Sequence, residues 1–366
     1  MESSLTKKLL LLILSVLGTL VLAEAAIRWA SPAWYPHTQS HQAHNGFGSS
    51  PPVNLYDSEL GWALSQQPVK AHDTGHSDVV YSVSNGERLT SDQPHSGSIV
   101  IAAGCSFTFG QGINDADTWP WLLQEQMPEY HVINVAAMGY GTDQALLAAE
   151  RALARYPGQV RSVVLGFGVF QIDRNRCPQS WLATTCPFGK PMFVRTANEQ
   201  VEYKGQVKFR SMGSFLDFFL DHSLFLSAVA NLWSDRLVHR IESHEAARQL
   251  TADLMIEFGR RFAQQGAQLV IVVMPYLSDQ GPQSTADRDV VVSHLRAAGI
   301  PTLLLDIPRF PDGRIDPRRF TVGSHPNRQY NLLLADQLSH FLAGLTAPAN
   351  SVTSLHPTKS AYPTEP

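Results

Sequence analysis

Ser98–Ala103 reads Ser-Ile-Val-Ile-Ala-Ala, an apolar run with no polar alternation along it. A strand of that kind has no face to offer water, so it must be covered on both sides. That is the condition of a strand inside a parallel sheet flanked by helices. The pattern recurs. His131–Val135, Ser162–Phe167, Gln268–Met274 and Thr302–Asp306 are further strand-length apolar runs. Between them lie stretches of helical spacing at Thr118–Met127, Asp143–Tyr156, Ala246–Gln264 and Asp287–Ala298, and Asn331–Leu342 closes the series. Strands alternating with helices predict the α/β class, a mostly parallel sheet with helices over its faces. Short β-like pieces around Leu60–Leu64 and Val79–Val83 precede it.

The flanks follow different rules. Lys7 and Lys8 precede an uncharged stretch from Leu9 to Ala23, and counting on to Ile27 approaches the about 20 residues that a spanning helix needs. The N-terminal segment 1–30 is expected to be an uncleaved membrane anchor. A cleaved signal peptide and a packed N-terminal helix stand as alternatives. Lysines ahead of the apolar stretch put its start in the cytoplasm. The expected location is therefore a single-pass inner membrane protein with its domain in the periplasm or other extracytoplasmic space. Residues 31–53 turn to Pro, Ser, His, Gly and Asn and read as a linker. The irregularly spaced His37, His41, His44, His72 and His76 read as solvated loop histidines. The main domain is expected over 54–345, interrupted at about 176–243 by an insertion with an aromatic helix near Phe215–Leu226. Cys177 and Cys186 flank a short segment of that insertion, and in an oxidising compartment they would pair. Beyond Thr346 the tail 346–366 is expected to be disordered.

A net charge of −4 without any Lys/Arg run excludes a phosphate-binding surface, so no nucleic-acid partner is expected. Zinc spacings, phosphate loops and dinucleotide fingerprints are also missing from the sequence, and no metal or cofactor is expected. The chemistry concentrates instead where the first buried strand ends. It runs into Gly104-Cys105-Ser106-Phe107-Thr108-Phe109-Gly110. A serine just past the carboxyl end of a parallel strand lies where open α/β sheets bind their ligands. Glycines on either side permit a turn tight enough to present its hydroxyl.

The segment GCSFTFGQGINDADTWPWLLQE resembles the first motif of the SGNH (GDSL-type) hydrolase and acyltransferase family. Asn134–Gln144 is similar to the second motif, with Gly139 on its oxyanion-hole glycine. Ser324-His325-Pro326-Asn327 is similar to the last, with His325 on the catalytic base. Asn85-Gly86-Glu87-Arg88 is similar to the lead-in of membrane-anchored bacterial members. The likeness covers Tyr56 to Leu345 apart from the insertion. It implies a flavodoxin-like three-layer α/β/α fold, an N-terminal membrane helix, Ser106 as nucleophile and His325 as its base. It also implies an oxyanion hole made by the N–H groups of Ser106 and Gly139.

Three positions depart from the family pattern. Cys105 stands where the family has an aspartate, and a structural role is expected for it. Phe170 falls on the family's oxyanion-hole asparagine and cannot donate a hydrogen bond; Gln171 could, if the loop shifts by one residue, and Asn175 is a weaker candidate. Val322 occupies the place of the triad acid, with Asp316 the nearest upstream carboxylate. A Ser106–His325 dyad is therefore expected, with the imidazole oriented by a backbone carbonyl near Val322 or Gly323. Asp115 and Asp117 read as turn and N-cap groups, and Asp306 as a satisfied loop carboxylate. The implied activity is hydrolysis of an acyl ester, free or on a polysaccharide, through an acyl-enzyme. Acyl transfer to an exported or envelope polysaccharide is the first alternative. A catalytically inactive carbohydrate-binding module is the second.

Overall fold

The computed structural model describes residues 2–30, 48–175, 190–196, 198–206, 223, 225, 244–277, 281–310 and 315–346. The Cys177–Cys186 pairing, the linker before residue 48 and the tail from residue 347 lie outside these, as does the expected helix Phe215–Leu226 apart from Ser223 and Phe225.

In chain order the first helix is α1 (Glu2–Ala30), followed by β1 (Ser49–Ser50), β2 (Asn54–Asp57), β3 (Gly61–Leu64), β4 (Val69–Asp73), β5 (Val80–Ser84) and β6 (Glu87–Arg88). The alternating part runs β7 (Ser98–Ala103), α2 (Ser106–Phe109), α3 (Trp119–Gln126), β8 (Tyr130–Asn134), α4 (Thr142–Arg155), β9 (Val160–Phe167) and α5 (Gln171–Asn175). After the hairpin of β10 (Pro191–Arg195) and β11 (Val201–Gln206) come α6 (His244–Gln264), β12 (Gln268–Val273), α7 (Pro282–Ala297) and β13 (Thr302–Leu304). The chain closes with α8 (Pro317–Phe320), β14 (Thr321–Val322), β15 (His325–Pro326) and α9 (Arg328–Thr346).

The apolar runs do what their composition demands. In β7, Ile99 to Ala103 are all buried, and the strand pairs in parallel with β8 on one side and β9 on the other. β12 and β13 extend the parallel half, in the order β8-β7-β9-β12-β13. From β7 the chain moves outward to β8, then crosses back to β9. The carboxyl end of β7 is thus a topological switch point, where two loops diverge and leave a crevice. Covering helices fall into two packed sets, α3 with α9, and α4 with α6 and α7. The result is a mixed α/β fold around a large central sheet.

Among the described residues that sheet has nine strands, and of its other four only β5 falls on a β-like piece expected from the sequence, Val79–Val83. β1, β4, β5 and β6 form an antiparallel wing that joins the parallel half through Arg88 of β6 opposite Asn134 of β8. The wing strands are short and half-buried, with β5 alternating between buried and intermediate positions. Only pairing, which is a long-range event, makes them strands of this sheet. β3, expected as an early core piece, pairs only with β2 as a separate two-stranded ribbon.

The N-terminal segment requires a correction. It is helical from Glu2 to Ala30, yet no helix among the described residues is long and apolar enough to cross a membrane. The uncharged stretch Leu9–Ala23 is about 15 residues, or roughly 22 Å of helix at about 1.5 Å per residue. A hydrocarbon core is about 30 Å thick. Carrying the span further takes in Glu24, whose carboxylate pairs with Arg28 at 2.8 Å and accepts hydrogen bonds from Ser223 Oγ and the Phe225 N–H. The end of α1 is therefore tied to the chain's own insertion. The single-pass anchor is overturned, and the location deduced from it falls too.

The close approach of α2 to the sheet is paid for in glycine. A β-carbon on Gly166 in β9 would collide with Thr108 Oγ1 and lie 2.9 Å from Met274 Sδ, and one on Gly104 would collide with the same threonine. Gly166→Ala is expected to cost about 1–3 kcal/mol, the usual penalty of overpacking. A lowered denaturant midpoint with an unchanged slope would show it; Gly299→Ala, in open space, tests only the cost of its left-handed backbone.

Candidate active site

The nucleophile position is built by the end of β7. Gly104 has φ 155°, a conformation that L side chains rarely adopt, and Cys105 then returns to extended backbone as the residue before α2. Cys105 is buried and unpaired, one of the residues of the hydrophobic core. Ser106 is the first residue of the four-residue helix α2, which ends at Gly110 in a left-handed conformation. The first N–H groups of a helix lack intrahelical acceptors, so that of Ser106 is available to another partner.

The loop after α2 is clamped from the wing. Arg88 is fully buried, and Nη1 donates to the carbonyl oxygens of Phe109 at 2.5 Å and Gly110 at 2.7 Å. Nη2 donates to the Ile113 carbonyl at 2.7 Å and Nε to Asp115 Oδ1 at 2.8 Å. Its guanidinium also lies over the rings of Tyr81 and Phe109, which meet each other edge-on, at 4.6 and 4.7 Å. From the other side Asn134 Nδ2 donates to the Thr108 carbonyl at 3.1 Å. Asp115 thus serves Arg88, and also accepts from the Ser82 N–H, rather than merely forming a turn. Asp117 pairs with Arg328 at 2.8 Å, and Thr118 is the N-cap of α3.

His325 arrives from the far end of the chain. β14 and β15 form a two-residue-per-strand hairpin in which Val322 lies opposite His325, turning through Gly323 at φ 57°. His325 Nε2 lies 3.0 Å from Ser106 Oγ, and the ring meets Phe107 edge-on at 5.7 Å. The nearest group to Nδ1 among the described hydrogen bonds is Ser324 Oγ, at 3.4 Å, so the backbone carbonyl expected near Val322 or Gly323 does not fill that place. Burial depresses the His325 pKa below the ordinary imidazole value, and the charges of Arg174 and His76 push the same way while Asp73 opposes them. The imidazole is accordingly neutral at neutral pH and able to accept a proton.

Gly139 follows β8 with φ 81°, and a β-carbon there would lie 3.3 Å from the Trp62 ring, whose Nε1 donates to the Met138 carbonyl at 2.9 Å. Since β8 runs parallel to β7, both loops leave the same edge of the sheet. Gln171 begins α5 beyond β9 and is fully buried. Its Oε1 accepts the Gly168 N–H at 2.8 Å, and its Nε2 has no hydrogen-bond partner among the described residues. Phe170 stacks in a triangle with Phe107 and Tyr276, at 5.1 and 5.6 Å, and Arg174 lies over its ring. Asn175 is engaged at both ends: Oδ1 accepts from the Thr142 and Asp143 N–H groups, and Nδ2 donates to Thr251. It caps α4 and is held there from both ends. Asp306 is exposed and lies in the loop after β13, where Gln337 bonds its backbone. Asp316 caps α8.

Sequence reasoning missed the wing's contribution, namely Asp73, Tyr81 and the deep burial of Arg88. His76 is an exposed loop histidine as expected, and its Nδ1 additionally lies 3.2 Å from Asp73 Oδ1. The Asn-Gly-Glu-Arg motif was the one signal for Arg88; nothing local marks the others.

No family model matches this chain, and no curated protein matches it. Among solved structures it is similar to TesA, with 12% identity over 68% of this chain and 99% of that one, at a TM-score of 0.39. It is also similar to the psychrotrophic esterase EstA from Pseudoalteromonas sp., with 11% identity over 68% and 98% of the two chains and a TM-score of 0.36. A GDSL-like lipase from Bacteroides thetaiotaomicron matches with 11% identity over 68% and 89%, at 0.39. The chemistry of the site is read from this chain's own side chains.

Arg88→Ala would strand three carbonyls and the Asp115 carboxylate in the interior. The expected loss is about 3–5 kcal/mol of unfolding free energy, as for breaking other buried ion pairs. Arg288→Ala, which removes a surface pair with Asp289, should stay within about 0.5 kcal/mol in the same denaturation assay.

Proposed function

We propose that this protein is a serine-dependent ester hydrolase working through a Ser106–His325 dyad and an acyl-enzyme. The 3.0 Å approach of His325 Nε2 to Ser106 Oγ, at the switch point of the sheet, carries that reading. A serine hydroxyl is a weak nucleophile until an adjacent base takes its proton. Here a neutral imidazole does so as Oγ attacks the acyl carbon of an ester, free or borne on a polysaccharide. The negative oxygen that forms would be met by the N–H groups of Ser106 and Gly139 and by Gln171 Nε2, a buried donor still without a partner. The imidazolium then protonates the departing alkoxide. Water enters, His325 removes its proton, and the second tetrahedral species collapses to acid and free Ser106.

Transfer of the acyl group to a sugar hydroxyl shares the first half of this cycle and differs only in the acceptor. The hydrogen-bonded Ser–His pair favours either reaction over an inactive binding module.

Labelling of the intact chain with a fluorophosphonate tests the nucleophile. The wild type should label and Ser106→Ala should not; undiminished labelling of the alanine variant would exclude Ser106. His325→Ala should slow ester hydrolysis on the order of 10³-fold or more. The cycle needs neutral His325, whose pKa is depressed, so the rate should rise with pH. The midpoint should fall below the ordinary imidazole value of about 6.5. A midpoint above that value would contradict the buried, neutral His325 on which the mechanism depends.

A further inference from the structure

The His325 hairpin carries no carboxylate beside the histidine, since Val322 stands across from it and Asp316 is spent on capping α8. The wing, however, brings a buried carboxylate to the same place. Asp73, at the end of β4, is 6% exposed. Its Oδ1 accepts the N–H groups of Gly75 and His76, both at 2.8 Å, and faces His76 Nδ1 at 3.2 Å. Its Oδ2 takes the Tyr81 hydroxyl, and Tyr81 in turn accepts the Gly112 N–H at 2.9 Å.

A carboxylate that merely closed the turn at residues 73–76 would need one oxygen. Here the second oxygen is committed across the wing, and both arms end at the same spot. The Tyr81 arm holds Gly112, in the clamped loop after the nucleophile. The His76 arm brings its ring to 3.8 Å from where a β-carbon on Gly112 would sit, and Val322 Cγ1 lies 3.2 Å from that same point. Val322 is the cross-strand neighbour of His325. The Asp73 group is thus linked to the catalytic hairpin through Gly112 and Val322.

Resting on the dyad reading, we propose that Asp73 is the positioning carboxylate of this site, supplying from the antiparallel wing the negative charge that compensates the His325 imidazolium. The donors around Asp73 favour its charged form and lower its pKa even though burial opposes that. It is therefore ionised throughout the working range. The groups that act on His325 are consistent with this: Arg174 of α5 and His76 of the wing disfavour the imidazolium, and among the described residues Asp73 is the carboxylate that favours it. Ser324, Phe107 and the Ser106 hydroxyl are the uncharged neighbours. Asp73 acts through His325 and touches no reacting atom. Proton transfers remain those of the dyad.

The test is the pH dependence of fluorophosphonate labelling and of ester hydrolysis in the full chain. Asp73→Asn keeps the turn, because asparagine accepts the same backbone N–H groups, but removes the charge. Loss of a negative charge makes imidazolium less favourable, so the acid-limb midpoint should move to lower pH. The plateau rate should fall on the order of tenfold, equivalent to one unit of pKa. Asp73→Ser, which can close the same turn with its hydroxyl, supplies a second neutral variant should the asparagine fail to fold. Val322→Asp placed in the neutral variant should return the midpoint upward. A folded neutral variant that labels with the wild-type midpoint and rate would overturn the inference while leaving the dyad intact. A wild type that never labels would remove the dyad itself, and the inference with it.

Discussion

A guanidinium buried beyond reach of water must find oxygen for its N–H groups, and Arg88 finds it in the loop that follows the nucleophile. Three carbonyls and one carboxylate converge on it, and two aromatic rings pack against it. Burial lowers its pKa and the Asp115 carboxylate opposes that, so the guanidinium stays charged. A planar fork with five donors can satisfy such a set where a lysine ammonium cannot. The consequence is mechanical: the wing and the parallel half cannot separate without exposing an unpaired charge and several orphaned carbonyls. Ser106 sits at the head of a helix of only four residues, too short to hold itself. Its geometry is borrowed from Arg88 on one side and Asn134 on the other.

Everything else at the site leans on that frame. The His325 hairpin is two residues to a strand and would not persist alone, but its histidine docks edge-on against Phe107, which is fixed by α2. Phe107 joins Phe170 and Tyr276 in an aromatic cluster gathered from three separate strand ends. Phe170 thus contributes packing where a hydrogen-bond donor would sit in proteins of the family that the motifs resemble. The adjacent Gln171 anchors its loop through one end of its amide and leaves the other end unpaired. Burial of His325 within this apolar surround keeps it neutral, which is the state in which a base is useful.

The wing also changes how charge is distributed. Tyr81 links two functions, since its ring lies under Arg88 and its hydroxyl joins Asp73 to Gly112. Burial and the Asp73 carboxylate together push its phenol well above the usual range, so it stays a hydrogen-bond donor. One short segment of antiparallel sheet therefore supplies a clamp for the nucleophile loop and a fixed negative charge near the base.

The parallel half was legible in the sequence because its information is local. Ile99–Ala103 could bury both faces only inside a sheet, and Gly104 and Gly110 marked a turn that would present Ser106. The motif around His325 likewise pointed to the residue that the fold carries to Ser106. What tertiary structure alone decided lies in the contacts between distant segments. Val69–Asp73 carries no pattern that announces a strand and Val80–Ser84 shows only as a short β-like piece, and they become part of the sheet only when Arg88 meets Asn134. His76 is the exposed loop histidine that its sequence suggests, but only the fold sets its ring against Asp73, whose other oxygen takes the Tyr81 hydroxyl. The apolar stretch at the N-terminus approaches spanning length in the sequence, but the helix it forms is not long and apolar enough to cross a membrane, and its Glu24 bonds Ser223 and Phe225. Local pattern sets where a strand, a turn or a helix forms; which charge a buried carboxylate or a glutamate serves depends on neighbours that folding brings from elsewhere in the chain.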